Sequence, residues 1–351
     1  MSRLRPDLVA MEGYHSAQVS VEVRLNTNES PLALPSAYLE DLSRALKTLN
    51  LNRYPDRSAL ELRSAIAAME GVAAEQVYAA NGSNEVIENL LLAYGGRGRR
   101  ALVFEPSYAL HAHLARTTAT ELISVERRQD LSLDSALVSQ AVRDHQPDVI
   151  FLCSPNNPTG EALPGEVIEA ALSSGDGLVV VDEAYVQFAN SSASLMLGTP
   201  GSDRLVLLRT FSKTWALAGV RLGFCIASPG IVADLEIVTL PYHLSALTQV
   251  AGLLALGYLD DMEQRIALIV AERERITSSL ASRGYTVWPS QANFILFRPS
   301  DGKGHELWER LVAHSVLVRD CSSWPRLEGC LRVTVGTPEE NDKFLNALEE
   351  A

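Results

Sequence analysis

The sequence predicts an α/β protein with a large domain on a doubly wound, mostly parallel sheet and a smaller C-terminal α/β domain. Three observations carry this. Short apolar runs alternate with helical apolar spacing between residues 77 and 226. Polar clusters follow the runs at 77–80, 101–104, 148–153, 178–181 and 205–208, on the side where such sheets bind ligands, so they should converge on one rim. After Leu240-Pro241-Tyr242 the pattern changes to long helices and a fresh set of short strands.

Residues 1–30 lack a long periodic pattern and read as an N-terminal arm, with a turn signalled by Asn26-Thr27-Asn28-Glu29-Ser30-Pro31. Leu39, Leu42, Leu46 and Leu49 give helical spacing over 36–49. Asn52-Arg53-Tyr54-Pro55-Asp56 breaks it, Ser58 and Glu61 have the spacing of a capping box, and Gly71 ends the helix they open. A strand at 77–80 runs into Asn81-Gly82-Ser83-Asn84-Glu85 and a helix at 86–93. Strands follow at 101–104, 121–125, 148–153, 178–181, 205–208 and 222–226, with helices at 107–115, 132–144 and 166–172. This large domain is bounded at 31–240. The small domain, 241–351, takes helices at 244–259, 262–280, 304–313 and 338–348 and strands at 286–288, 294–297, 316–318 and 331–335.

Composition narrows the function. The chain has 351 residues and a net charge of −13, which argues against nucleic acid and anionic membrane surfaces. Any phosphate ligand must then be met by local arginines and helix N-termini. Cys153, Cys225, Cys321 and Cys330 form no C-x-x-C pair, and buried reduced thiols in a cytosolic compartment are expected. No metal site is expected. The start, MSRLRPDLVAMEG, has no long apolar stretch, so no signal peptide is expected, and the run 250–259 is too short to span a bilayer.

The segment 205–224, LVLLRTFSKTWALAGVRLGF, carries the most chemistry. A lysine at the mouth of a strand, Lys213, has no packing reason to be there. The hydroxyls of Thr210 and Ser212 and the guanidinium of Arg221 can hold a phosphate. A lysine beside a phosphate cup points to an imine-forming lysine that holds pyridoxal phosphate; the alternative is a strand end with solvated charges. The strand–glycine–helix junction at Gly82-Ser83-Asn84 is a second anion site candidate or a plain turn. Asp182 ends an apolar strand, where a carboxylate needs a partner. A pyridinium nitrogen would serve, and a helix cap is the alternative. Asn157 and Tyr185 can donate to a phenolic oxygen, and Tyr108 can stack on a ring; turn chemistry and core packing are their ordinary alternatives.

Taken together, these residues resemble fold-type I pyridoxal-phosphate aminotransferases, and among them the histidinol-phosphate aminotransferase family. The stretches that carry it are Gly13-Tyr14-His15-Ser16-Ala17, Leu25-Asn26-Thr27-Asn28-Glu29, Asn52-Arg53-Tyr54-Pro55, 153–160, Asp182-Glu183-Ala184-Tyr185 with Phe188, 210–219, Tyr242, Asn293-Phe294-Ile295-Leu296, Arg319-Asp320 and 329–337. The resemblance spans nearly the whole chain. It implies Lys213 as the catalytic lysine and pyridoxal phosphate as cofactor. It implies that Asp182 pairs with the ring nitrogen, Asn157 and Tyr185 bond the ring oxygen, and Tyr108 stacks. Ser83, Asn84, Thr210, Ser212 and Arg221 would share the cofactor phosphate with the partner subunit's Tyr54. Tyr14, Asn26, Tyr242, Arg319 and Arg332 would bind substrate. The expected reaction takes L-histidinol phosphate and 2-oxoglutarate in a homodimer, with the arm packed on the small domain and on the partner. An aromatic aminotransferase or a threonine-phosphate decarboxylase stays open on the same scaffold. Family members commonly carry an acidic residue where Asn84 stands, which leaves only that side chain's own role in doubt.

Overall fold

The computed structural model describes residues 4–9, 11–13 and 19–350. After a 3-10 turn at Pro6–Leu8, the first strand is β1 (Val23–Leu25), followed by α1 (Ser36–Thr48) and α2 (Leu60–Glu70). The alternating part follows: β2 (Val77–Ala80), α3 (Ser83–Tyr94), β3 (Arg100–Glu105), α4 (Ala109–Thr117), β4 (Glu121–Glu126), α5 (Ser135–His145), β5 (Val149–Cys153), α6 (Gly165–Ser173), β6 (Leu178–Asp182), β7 (Leu205–Thr210) and β8 (Gly223–Ile226). Three helices come next, α7 (Pro229–Val238), α8 (Ala246–Ala255) and α9 (Leu259–Ser282). The chain ends through β9 (Thr286–Val287), β10 (Phe294–Arg298), α10 (Gly304–Ala313), β11 (Val316–Asp320), β12 (Leu331–Thr334) and α11 (Pro338–Glu350).

Seven strands form one sheet in the order β2-β8-β7-β6-β5-β3-β4. Its pairs are parallel from β4 to β7, and β8 runs antiparallel to both its neighbours. This is the expected doubly wound, mostly parallel sheet. β5, β6 and β7 are buried along their whole length, as continuous apolar runs in a parallel sheet covered on both faces should be. Alternate residues serve opposite faces. Ile150, Leu152, Val179, Val181, Leu205 and Leu207 enter one core, and Val149, Phe151, Val180, Val206 and Leu208 the other.

A second sheet has the order β1-β11-β12-β10-β9. Its core takes Ile269, Ile276 and Leu280 from α9, Phe294 and Phe297 from β10, and Phe344 from α11. Tyr185 and Phe188, which follow β6, also pack there, so the two sheets meet at the rim where the polar clusters gather. Among the described residues no helix is long and apolar enough to cross a membrane.

Four local expectations change. The cap of α2 is not Ser58: Asp56 Oδ2 accepts from Leu60 N at 2.8 Å, because Ala59 turns left-handed at φ 45° and brings the aspartate to the first turn. α3 starts at Ser83 rather than 86, so the polar cluster after Gly82 is helix and not loop. α7 lies in a stretch for which no helix was expected. β1 sits in the arm and pairs parallel with β11, Val23 opposite Val316 and Leu25 opposite Val318.

Candidate active site

The carboxyl ends of β5, β6 and β7, the start of α3 and the small sheet enclose a cavity of about 350 Å³. Lys213 follows β7 and projects into it, half-buried. Its Nζ donates to Thr27 O at 3.2 Å and lies 5.7 Å from the centre of the Tyr185 ring. Burial, helped by the positive field of Arg332, lowers its pKa to about 8 from 10.5, against the opposing pull of Glu29 and Asp182.

Asp182, the last residue of β6, is 2% exposed. Its Oδ1 accepts from Ala184 N at 3.1 Å and its Oδ2 faces His111 Nε2 at 3.0 Å. A carboxylate accepts, so Nε2 is the nitrogen that carries the hydrogen. The imidazole is stacked on Phe151, with ring centres 4.6 Å apart, and its Nδ1 is buried without a partner. His111 did not emerge from the sequence. The one available signal was its place three residues after Tyr108, on the same helix face.

Tyr108 stands at the start of α4 and donates to Asn84 Oδ1 at 3.3 Å across the cavity wall. The Tyr185 hydroxyl accepts from Asn28 Nδ2 at 3.0 Å, which leaves its own hydrogen for another acceptor. Burial pushes that phenol's pKa up, so it stays a donor. Asn28 is held in left-handed geometry by Thr334 and Asn293. Its anchoring role was also not foreseen, although the turn that contains it was.

At the other end of the cavity lie Ser83, Asn84, Thr210, Ser212 and Arg221. Thr210 Oγ1 donates to Ser212 Oγ at 3.0 Å and accepts from Ser212 N at 3.1 Å, folding the segment before Lys213 into a tight polar turn. Arg221 adopts φ 58° and crosses the start of α3. A Cβ on Gly82 would sit 2.7 Å from its Nη2. Helix amides, two hydroxyls and a guanidinium on one spot make a cup for a phosphate.

Arg319 and Arg332 face each other on β11 and β12. Both line the cavity, as does Asn26. Arg332 is 5% exposed, donates to Asn26 O at 2.9 Å and to Asn157 Oδ1, and keeps a buried Nε without a partner. Asn157 thus turns its oxygen to the arginine and keeps its Nδ2 hydrogens for another acceptor. Tyr54 and Tyr242 are not on this cavity. They stack on each other at 4.4 Å, with Tyr54 80% exposed. Tyr14 lies outside the described residues.

A half-buried lysine of lowered pKa, a buried carboxylate, an anion cup and paired arginines in one cavity suit an amine-transferring site on a phosphate-bearing carbonyl cofactor. The chain belongs to the class I and II aminotransferase family, whose model matches residues 20–348. It is 45% identical to the histidinol-phosphate aminotransferase of Frankia casuarinae, covering 98% of this chain and 89% of that protein. It is 44% identical to the enzyme of that name from Thermobifida fusca, covering 98% and 94%. Among solved structures, it superposes on histidinol-phosphate aminotransferase from Sinorhizobium meliloti in complex with pyridoxal 5'-phosphate with a TM-score of 0.89, at 21% identity over 100% and 97% of the chains. A putative histidinol-phosphate aminotransferase from Erwinia carotovora atroseptica gives 0.84 at 26% identity over 95% and 98%. The fold-type I architecture expected from the motifs is therefore the one adopted.

Proposed function

We propose that the chain transfers the amino group of L-histidinol phosphate to 2-oxoglutarate, giving imidazole-acetol phosphate and glutamate. It does so with pyridoxal phosphate, as a cytoplasmic homodimer, in histidine biosynthesis. The observation that carries this reading is the opposed pair Arg319 and Arg332 beside Lys213. Like charges directly opposite across a strand pair are unfavourable unless an anion joins them, and a phosphate dianion needs two cations. The names of the relatives at 40–45% identity support the same substrate.

The residues present fit the cofactor. The lack of a side chain at Gly82 lets the Arg221 guanidinium reach the start of α3, and the cup so formed suits a phosphate tail; Ser83, Asn84, Thr210, Ser212 and Arg221 would hold it, joined by the partner subunit's Tyr54. Asp182, fixed by His111, would hold the ring nitrogen, Asn157 and Tyr185 the ring oxygen, Tyr108 a ring face, and Lys213 the carbonyl carbon. When bound, pyridoxal phosphate supplies the carbonyl that joins the substrate amine and a ring that draws electrons from its Cα.

Lys213 would take the proton from the substrate Cα and deliver the same proton to the carbon that had carried the cofactor's carbonyl. A pKa of about 8 gives it a neutral fraction near pH 7 while keeping it basic. Asp182, which faces His111 Nε2 at 3.0 Å, would meet the ring nitrogen with its carboxylate. Arg332 and Arg319 would hold the substrate phosphate beside Asn26; Tyr14 would join them, and Tyr242, which stacks on Tyr54 away from its own cavity, would reach that side from the other subunit. The same arginines take the carboxylates of 2-oxoglutarate, so donor and acceptor alternate on one site. The proposed division into an arm (1–30), a large domain (31–240) and a small domain (241–351) is supported by the two separate sheets and by β1 joining the smaller one.

The test gives the purified, cofactor-loaded protein L-histidinol phosphate, L-histidine, L-phenylalanine and L-phosphothreonine in turn and follows the cofactor's visible absorbance. Histidinol phosphate should react fastest, 2-oxoglutarate should restore the starting spectrum, and Lys213→Ala should abolish both. Turnover by K213A, or faster carbon dioxide release from phosphothreonine, would overturn the assignment.

A further inference from the structure

The turn joining β11 to β12, residues 321–330, brings a tryptophan to the cavity that neither the motifs nor the proposed reaction uses. The strands that flank it carry Arg319 opposite Arg332. Past them the ladder closes with Cys321 N donating to Cys330 O at 3.0 Å. The turn then folds on itself, Trp324 N donating to Cys321 O at 2.9 Å and Leu327 N to Trp324 O at 3.1 Å. Cys321, Leu327 and Cys330 are buried in a small apolar cluster with Leu131 and Leu296, and Trp324 packs against it. Leu131 precedes α5, on the large-sheet side, so this packing spans the seam between the two sheets. Arg326 fastens the turn to the same side, its Nη1 donating to Glu126 Oε2 at 2.9 Å and to Arg127 O at 3.2 Å. Held from both sides, Trp324 lines the cavity, and its ring centre lies 5.8 Å from Arg319 Cζ.

We propose that Trp324 is a positioning residue for Arg319, and that through it the site prefers a phosphate dianion to a single carboxylate. This rests on the anion-binding role given to the two arginines above. Arg332 is already immobilised by Asn26 and Asn157 and packs over Phe294 at 5.2 Å. One guanidinium fork satisfies a carboxylate. A phosphate offers a third oxygen and a second charge, and these fall to Arg319. An arginine side chain loses much rotamer freedom when it is fixed. The indole, with Arg319 Cζ over its ring at 5.8 Å, lowers that cost by attracting the cation to one place before the ligand arrives. Trp324 takes no part in the proton transfer; the role given to it here is exerted through Arg319.

The experiment compares W324A, W324L and W324F as cofactor-loaded proteins. Two readouts are taken: KM and kcat for L-histidinol phosphate, and the competitive inhibition constant of inorganic phosphate. L-histidine, with one carboxylate, is the comparison ligand. W324A should raise KM for histidinol phosphate and weaken phosphate binding by roughly tenfold, with kcat falling less than KM rises. L-histidine binding should weaken by less than about threefold, since Arg332 stays fixed. W324F restores the aromatic face and should recover most of the loss, whereas W324L, apolar without a π face, should not. Equal losses for phosphate and for L-histidine, or Leu performing as well as Phe, would overturn the proposal. Should wild type fail to use histidinol phosphate, the substrate assignment falls, and direct titration of each cofactor-loaded protein with inorganic phosphate, read by the cofactor's absorbance, still decides the part played by Trp324.

Discussion

Lys213 is held away from water and beside two guanidiniums, so its ammonium form is disfavoured in the folded chain. The folded pKa of about 8 lies below the 10.5 of an unfolded chain. Below pH 8 both states carry the proton, and the folded state bears the full penalty of burying it. Between pH 8 and 10.5 the unfolded state binds more protons, so stability rises with pH across that window. The penalty is about 3 kcal/mol. In cofactor-free protein, Lys213→Met should therefore be more stable than wild type at pH 7. That advantage should shrink by about 3 kcal/mol as pH rises through the window, measured by urea unfolding at each pH. A gap that does not change with pH would contradict the burial argument. The lysine was legible in the sequence because a charge at the mouth of an apolar strand has few structural uses. His111 was not. A histidine among Leu110 and Ala112 on a buried helix looks like core, and only its reach from α4 across Phe151 of β5 brings it to Asp182.

At the scale of elements, the phosphate cup depends on how closely β8 passes the start of α3. A Cβ on Gly223 would lie 2.2 Å from Ser83 N and 2.5 Å from Gly82 C. Both contacts are with backbone and neither can yield without moving the helix. Gly223→Ala should push the first turn of α3 out of the cup, cost about 1–3 kcal/mol in stability and weaken cofactor binding on the order of tenfold. Gly230→Ala, in α7 with nothing within 4 Å of the new Cβ, is the control and should be neutral or slightly stabilising. Melting curves and a cofactor titration separate the two; a G223A protein that binds cofactor like wild type would show that the cup does not need this contact. The junction at Gly82 was readable as an anion site because strand, glycine and helix are consecutive. The contact with β8 was not, since it joins residues far apart in the chain. For similar reasons β1 went unseen: three residues give no period, and its partner β11 lies about 290 positions on by the pairing of Val23 with Val316. α7 escaped because its apolar residues surround the helix and leave no polar face to mark a period, although Ser228-Pro229 was a start signal.

Over the whole molecule, the cavity is built at a seam. Arg332 of the small sheet reaches Asn157, Gln291 N donates to Gly160 O at 2.8 Å, and Arg326 reaches Glu126, so one wall of the site is tied to the other. The proposed homodimer would add a second seam on the outside. Leu39 and Leu46 of α1, Leu51, Leu60 and Leu247 are all exposed on or near the helices that flank Tyr54. Tyr54 itself is 80% exposed and is held by its stack on Tyr242, so it is oriented outward without any contact to its own cavity. Such a rigid aromatic amid exposed leucines suits a second copy of the chain, with each Tyr54 serving the other's cofactor phosphate. This can be decided by complementation. Tyr54→Ala and Lys213→Ala should each lose most activity alone. In a hybrid dimer, the site that keeps Lys213 belongs to the Y54A copy and receives an intact Tyr54 from the K213A copy. Random mixing makes half the dimers hybrid, each with one complete site, so about a quarter of wild-type activity should return on co-expression or joint refolding. If Tyr54 served its own cavity, or if the chain acted as a monomer, every site would lack one of the two residues and the mixture would be no more active than its parts.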